Sequence, residues 1–199
     1  MTKAVPTVDS PKPYRKPPPC SHAELLALLD YDPEAGIFTW RSRPVESFKR
    51  RSWGVVWNTR YAGKVAGAIA KRAGTDYIVI AIHKKPTLAH RLAVYYMTAE
   101  WPPDGVDHCD CNGLNNRWEN LRPATQLQNA GNTRLMSTNT SGLKGAFLHE
   151  AKHRRKRYQA KIRFNKKNIS LGYYETAEEA HAAYMAAAIK YRGEFARAS

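Results

Sequence analysis

Between Val106 and Asn132 the chain reads VDHCDCNGLNNRWENLRPATQLQNAGN, and no other stretch restricts the fold as much. Asp, His and Asn crowd it and aliphatic residues are few, so burial of apolar surface cannot by itself organise it. Asp107 and His108 are adjacent, and on a strand their side chains point to opposite faces. One site can still use both if a cation sits at the strand's edge. Thr125 followed by Gln128 forms a capping box, which puts Asn129 in the first turns of a short helix. An amide oxygen beside a carboxylate is hard oxygen ligation, suited to Mg²⁺ or Mn²⁺. A neutral His nearby can take a proton from water near pH 7. Together these are the parts needed for metal-assisted hydrolysis of a phosphodiester. The competing reading is a polar loop that holds Asn and Asp for turn geometry alone.

The rest of the chain supplies a scaffold. Residues 1–19 hold six prolines and four basic residues with little to bury, which reads as a disordered basic arm. Order is expected from Ser21, where S-H-A-E is a capping box ahead of Leu25, Leu26, Leu28 and Leu29. YDPEAG (Tyr31–Gly36) reads as a turn and IFTW (Ile37–Trp40) as a strand. Arg41–Tyr61 mixes basic residues with Trp53 and Trp57 without a clean period and reads as a basic loop whose indoles either stack on bases or lie half-buried in the loop. DYIVIAIH (Asp76–His83) and the segment after it suggest a hairpin leading into a helix near AHRLAVYYM (Ala89–Met97).

The ordered polar set resembles the HNH endonucleases of phage and homing type. The residues that carry the resemblance are Asp107, His108, Asp110, Asn115, Asn116, Arg117, Asn120, Leu121, Thr125, Gln128, Asn129 and Asn132. Upstream, WNTRYAGK (Trp57–Lys64) and AHRL (Ala89–Leu92) are similar to the same family, so the likeness spans roughly 20–135. It implies an α+β chain with a ββα-metal (His-Me finger) nuclease domain and one divalent cation, Mg²⁺ first and Mn²⁺ second. By that resemblance His108 is the general base, and Asp107 and Asn129 hold the cation against the scissile phosphate. Asn120 would tie the loop and orient His108, Asn115 and Asn116 would brace it, and Arg117 would meet a phosphate. His90 recurs in the family's AHRL, where a structural hydrogen bond is weighed ahead of a catalytic role. Cys109 and Cys111 depart from the family pattern. With Cys20 the only other cysteine, H-C-D-C falls short of a structural zinc site.

Past the turn-rich linker at residues 137–142 the composition changes. Residues 141–199 carry 13 Lys/Arg against 5 Asp/Glu, and Lys152–Lys167 holds nine basic residues and no acidic one. LKGAFLH, RYQAKIRF and NISLGYY fit three short strands. A helix should follow, capped by Thr176 with Glu179, lined by Ala180, Ala183, Tyr184, Ala187 and Tyr191, and ended by Gly193. KGAF, YQAKIRF and LGYYETAEEAHAAYMAAAIKYRGEFA resemble the DNA-binding domain of plant Apetala-2/ethylene-response factors, a three-stranded antiparallel sheet backed by one helix. Alternation puts Ala160, Ile162 and Phe164 on one face and Lys161 and Arg163 on the other. The resemblance assigns DNA contacts to Lys144, His149, Lys161, Arg163, Asn168 and Ser170. Phe147 and Ser170 replace an Arg and a Trp of the family, so its sequence preference does not transfer.

The domains expected are therefore the arm at 1–19, a nuclease domain at 20–136, the linker, and a DNA-binding domain at 143–199. Net charge of +15 fits a polyanion partner, here double-stranded DNA rather than a membrane or a small-molecule substrate. Nothing in the sequence resembles a secretory signal or a membrane span, which points to a cytoplasmic protein, of a bacterial host if phage-encoded. One site per chain favours a monomer that nicks one strand, while cutting both strands would need two events or a dimer, and the oligomeric state stays open. The rival is a DNA-binding regulator in which the HNH segment is a degenerate scaffold.

Overall fold

The computed structural model describes residues 17–71, 74–133, 135, 139–149, 157–165 and 167–197. The expected arm at 1–19 lies almost wholly outside them. The described residues fall into two compact units, 17–124 and 125–197. No helix among them is long and apolar enough to cross a membrane.

The first unit opens with α1 (His22–Leu28), where the Ser21 hydroxyl accepts from the Glu24 amide at 3.2 Å and Leu25 and Leu28 face inward. Strands β1 (Leu29–Asp32) and β2 (Ile37–Trp40) form an antiparallel hairpin. Its turn is tied by the Asp32 carboxylate, which accepts from the amides of Glu34 and Ala35. Gly36, at φ +71°, lets the turn close.

The expected basic loop at 41–61 is instead a single 3₁₀ turn, Val45–Ser47, and an eleven-residue helix, α2 (Arg51–Tyr61). The sequence hides this helix because it buries no apolar stripe. Gly54 is its one buried residue, and a Cβ there would meet Val45 Cα at 2.8 Å and the Phe48 ring at 2.9 Å. The Asn58 amide completes the docking by bonding both backbone groups of Arg43, at 2.9 and 2.8 Å.

Strands β3 (Ala68–Ala70), β4 (Tyr77–Ile82) and β5 (Lys85–Leu88) follow as an antiparallel meander in that order. His83 and Lys84, both at positive φ, make the two-residue turn between β4 and β5. Helix α3 (Ala89–Thr98) is the spine of the unit, with Ala89 through Tyr95 all buried. Leu92 and Ala93 pack with Leu25, Leu29, Phe38, Ile80 and Ile82 into the main core. Strands β6 (Gly105–His108) and β7 (Leu121–Ala124) form a second antiparallel hairpin, with Val106 and Leu121 anchored in that core.

The second unit begins with the one-turn helix α4 (Gln126–Asn129). Strands β8 (Ala146–Leu148), β9 (Tyr158–Phe164) and β10 (Lys167–Tyr174) pair antiparallel with β9 in the centre. Helix α5 (Ala177–Arg192) covers one face. Thr176 accepts from the Glu179 amide at 3.2 Å, and Gly193 ends the helix at φ +55°. The buried stripe is Ala177, Ala180, Tyr184 and Ala188, packed on Ala146, Ala160 and Ile162, with Leu171 and Ile169 alongside. The small side chains let helix and sheet approach closely. At Gly145, a Cβ would overlap the Tyr184 ring at 2.0 Å.

Candidate active site

The β6–β7 hairpin and the loop between its strands gather most of the polar residues singled out in the sequence. On β6, Val106, Asp107 and His108 are all buried, so the strand does not expose one of the two polar side chains. Each finds a different partner. Asp107 faces Arg122 directly across the hairpin, and the guanidinium donates to its Oδ2 from Nε at 3.0 Å and from Nη2 at 2.8 Å. The His108 Nε2 lies 3.1 Å from the Asn116 side-chain oxygen. Its ring is met edge-on by His90 of α3, with centroids 4.8 Å apart at 90°, and Tyr77 of β4 stands 6.1 Å away.

Burial lowers the His108 pKa below its usual value, against smaller opposing effects from Asn116, Asp110 and Asp107. The imidazole is therefore neutral at pH 7 and able to accept a proton.

The loop from Cys109 to Asn120 is organised around Asp110. Its carboxylate accepts from the Asn112 amide at 2.8 Å and from the side-chain amides of Asn115 and Asn120 at 2.8 and 3.0 Å. Burial pushes the Asp110 pKa up, but these hydrogen bonds and the nearby His108 outweigh it and hold the carboxyl below its ordinary value. Asn120 returns the favour through its oxygen, which accepts from the Asp110 amide at 3.0 Å, and it also donates to the Asn115 carbonyl at 2.8 Å. Asn120 thus ties the loop, but the amide against the His108 ring belongs to Asn116, whereas the resemblance pointed to Asn120. Asn116 is 1% exposed. The Tyr31 hydroxyl donates to its carbonyl at 2.6 Å, and a Cβ at Gly36 would lie 2.4 Å from its carbonyl carbon. The β1–β2 turn therefore backs the residue that holds the histidine.

Two further fixtures set the loop's position. Gly113 sits so close to β4 that a Cβ would fall 2.3 Å from the Asp76 carbonyl oxygen and 2.7 Å from the Tyr77 ring. Arg91 of α3 donates to the carbonyls of Asp104 and Pro102 and stacks over Trp101, fixing the entry to β6. Arg117 is exposed on the loop.

Asn129 belongs to the second unit, at the end of α4, and is exposed. The Thr125 capping box is formed: Thr125 Oγ1 accepts from the Gln128 amide at 3.2 Å while the Gln128 side chain accepts from the Thr125 amide at 2.8 Å. In the same unit Lys161 and Arg163 alternate with buried Ala160, Ile162 and Phe164, and they pair across the sheet with Ser170 and Asn168. His149 packs edge-on against Tyr173, and Lys161 lies over the Phe147 ring at 4.0 Å. Lys144 differs from this group. Its ammonium donates to the carbonyls of Gly131 and Thr133 and has less to offer a phosphate.

Residues 87–130 match the family model of HNH endonuclease. That stretch runs from β5 through α3, the β6–β7 hairpin and α4, and so contains His90, Asp107, His108, Asn116, Asn120 and Asn129. The match supports a nuclease, a hydrolase acting on nucleic acid. No curated protein matches the chain, and no solved structure does.

A carboxylate is the right donor for a hard cation, and Asp107 fits that chemistry. Among the described residues there is no cluster of three or more His, Cys, Asp or Glu side chains that could hold a metal ion. The Asp107 Oδ2 already accepts twice from Arg122, so a cation held there would compete with the guanidinium. Sequence reasoning missed Arg122 and the role of Asn116. The signal for Arg122 was the hairpin register, which sets it opposite Asp107.

Proposed function

We propose that this protein is a metal-dependent endonuclease that hydrolyses one phosphodiester of double-stranded DNA, guided by its C-terminal sheet. The observation that carries this reading is the His108 imidazole, held neutral by burial and oriented by Asn116, inside the segment that matches the HNH family. His108 takes the proton from the attacking water at an imidazole nitrogen. Asp107, with Asn129 as the second donor assigned by resemblance, would hold the cation. When bound, it supplies positive charge to neutralise the phosphate and stabilise the leaving 3′-oxygen. Arg122 orients the Asp107 carboxylate, Asn120 and Asp110 keep the loop in shape, and Arg117 meets a neighbouring phosphate. The products are a 5′-phosphate and a 3′-hydroxyl.

The Apetala-2-like resemblance supports DNA contact through Lys161, Arg163, Asn168, Ser170 and His149, on the face of the sheet opposite α5. The division of labour proposed follows the domains read from sequence, nuclease at 20–136, linker at 137–142 and targeting at 143–199, with the residues from Thr125 onward falling in the second compact unit. A monomer with one such site nicks one strand.

Relaxation of supercoiled plasmid tests the reading directly. Nicked circles are expected with Mg²⁺ or Mn²⁺, none with EDTA, and none with His108→Ala in either metal. DNA binding without nicking in any divalent cation would replace the reading with a non-catalytic DNA-binding regulator. For such a protein the Arg122 pairing would simply neutralise a buried carboxylate.

A further inference from the structure

Helix α2 and the β4–β5 turn enclose a half-open cleft of about 380 Å³, within the range of small-ligand pockets. It is lined by Trp40, Trp57 and Tyr61 together with the Arg43 guanidinium, the His83 ring and Leu28. Trp57 meets Trp40 edge-on at 5.7 Å and Tyr61 at 5.4 Å. The Arg43 guanidinium lies over Trp57 at 5.2 Å and over Phe48 at 4.7 Å. One turn before Trp57, Trp53 is 52% exposed and carries Arg50 over its ring at 5.2 Å. None of these residues belongs to the hairpin that carries His108.

We propose that this cleft receives an unstacked base of a nucleic-acid strand. The aromatic rings offer stacking surface that any base can use, which suits binding without sequence preference, and the Arg43 guanidinium, already laid on Trp57 and Phe48, adds positive charge beside it. The surrounding charge selects a polyanion: from Arg41 to Lys64 there are seven Lys/Arg and one acidic residue, and Lys84 and Lys85 follow His83 in the chain. The acid at the rim, Glu24, is paired with His83 at 2.7 Å. A second copy of the chain is a poor occupant, because two proteins of +15 repel. Bases within an intact duplex present their edges and keep their faces stacked. The occupant is therefore a base in a gap, a tail or a flipped-out position.

This inference does not depend on hydrolysis at His108, and its test is run in EDTA so that cleavage plays no part. Wild-type, full-length protein is irradiated with a duplex that carries 5-iododeoxyuridine in a four-nucleotide single-stranded gap, and the crosslinked peptide is sequenced. A crosslink within residues 40–64 is expected. A crosslink confined to residues 158–174, or none at all, overturns the proposal. In parallel, Tyr61→Ala and Arg43→Gln are titrated with the gapped duplex and with its fully paired counterpart. Tyr61→Ala should weaken binding to the gapped DNA at least fivefold, the lower end for loss of one base–aromatic stack, and leave the paired duplex within twofold. Arg43→Gln, which also removes a charge, should weaken the gapped DNA by at least fivefold more than the paired duplex. Equal losses on both ligands, or no loss on either, contradict it. The wild-type crosslink decides the matter even if a variant folds poorly. A plasmid that stays unnicked would leave this result untouched.

Discussion

Arg122 meets Asp107 across the β6–β7 hairpin with two nitrogens on one carboxylate oxygen, at 3.0 and 2.8 Å. The Asp107 side chain is 4% exposed and that of Arg122 is 19% exposed, so the pair is screened from water. Removing one partner of such a pair strands a buried charge, at a cost of about 3–5 kcal/mol. Arg122→Gln should lower the urea unfolding free energy by that order. The double variant Asp107→Asn/Arg122→Gln should recover most of the loss, since no charge is left unpaired. If Asp107 is also a cation ligand, Mg²⁺ will raise the melting temperature of Arg122→Gln more than that of wild type, because the competing guanidinium is gone. Equal shifts in the two proteins would argue against a cation at Asp107.

Asn116 is the residue through which the scaffold reaches the His108 imidazole. Its oxygen holds His108 Nε2, and its own backbone is pinned by Tyr31 and by the Gly36 turn. Asn116→Ala frees the ring to rotate and leaves a buried nitrogen without this partner. Nicking should slow by roughly 10–100-fold, as for loss of a supporting hydrogen bond in other metal-dependent sites, with DNA affinity unchanged. A loss of affinity without a loss of rate would assign Asn116 to binding instead.

Gly36 tests the same support from the far side. At φ +71°, and with the Arg117 nitrogen 2.4 Å from where a Cβ would stand, alanine meets backbone that cannot swing aside. Backbone strain and overpacking together predict a loss of about 2–4 kcal/mol in Gly36→Ala, measured by chemical denaturation. A loss under 0.5 kcal/mol would mean the turn stands clear of the Asn116–Arg117 backbone in solution.

Much of this was legible in the sequence, and the legible parts share a cause. The hydroxyl caps at Ser21, Thr125 and Thr176 form because both partners lie within one turn of chain. The reciprocal bond of a capping box closes at Thr125, whereas the Glu24 carboxylate pairs with His83 and that of Glu179 accepts from the Glu175 amide. The alternation of Ala160, Ile162 and Phe164 against Lys161 and Arg163 follows from the period of a strand. What could not be read depends on contacts distant in sequence. Helix α2 has no apolar stripe, because it docks through Gly54, Asn58 and ring stacking. The choice of Asn116 over Asn120 as the histidine's partner is made by the loop's path around Asp110, and all the asparagines there look alike in one dimension. The Arg122–Asp107 pair needs the register of the hairpin.

Asp110 gives the loop a pH dependence with a definite sign. Its folded-state pKa is held below the ordinary 3.8. The stabilisation is therefore fully present above the unfolded value and is lost as pH falls through the lower, folded one. Asp110→Asn removes a charge that accepts three hydrogen bonds and should cost about 1–3 kcal/mol at pH 7. The gap between wild type and variant should stay constant down to about pH 5 and narrow below pH 4. A gap that widened on acidification would mean that the folded state raises this pKa.

The outward face of the C-terminal sheet makes the last prediction quantitative. Lys161 and Arg163 sit on the central strand, paired with Ser170 and Asn168, while their neighbours Ala160, Ile162 and Phe164 point to the core. Replacing either cation by alanine removes charge and leaves the core packing alone, so the fold should persist. Each phosphate contact contributes about −0.9 to the slope of log affinity against log salt on duplex DNA. Lys161→Ala and Arg163→Ala should each make that slope shallower by about 0.9, and the double variant by about 1.8. Lys144→Ala should change it less, because that ammonium is held by the carbonyls of Gly131 and Thr133. Slopes equal to wild type in both strand variants would move the DNA contact off this sheet, whereas a full unit lost at Lys144 would show that DNA draws the lysine away from its carbonyls.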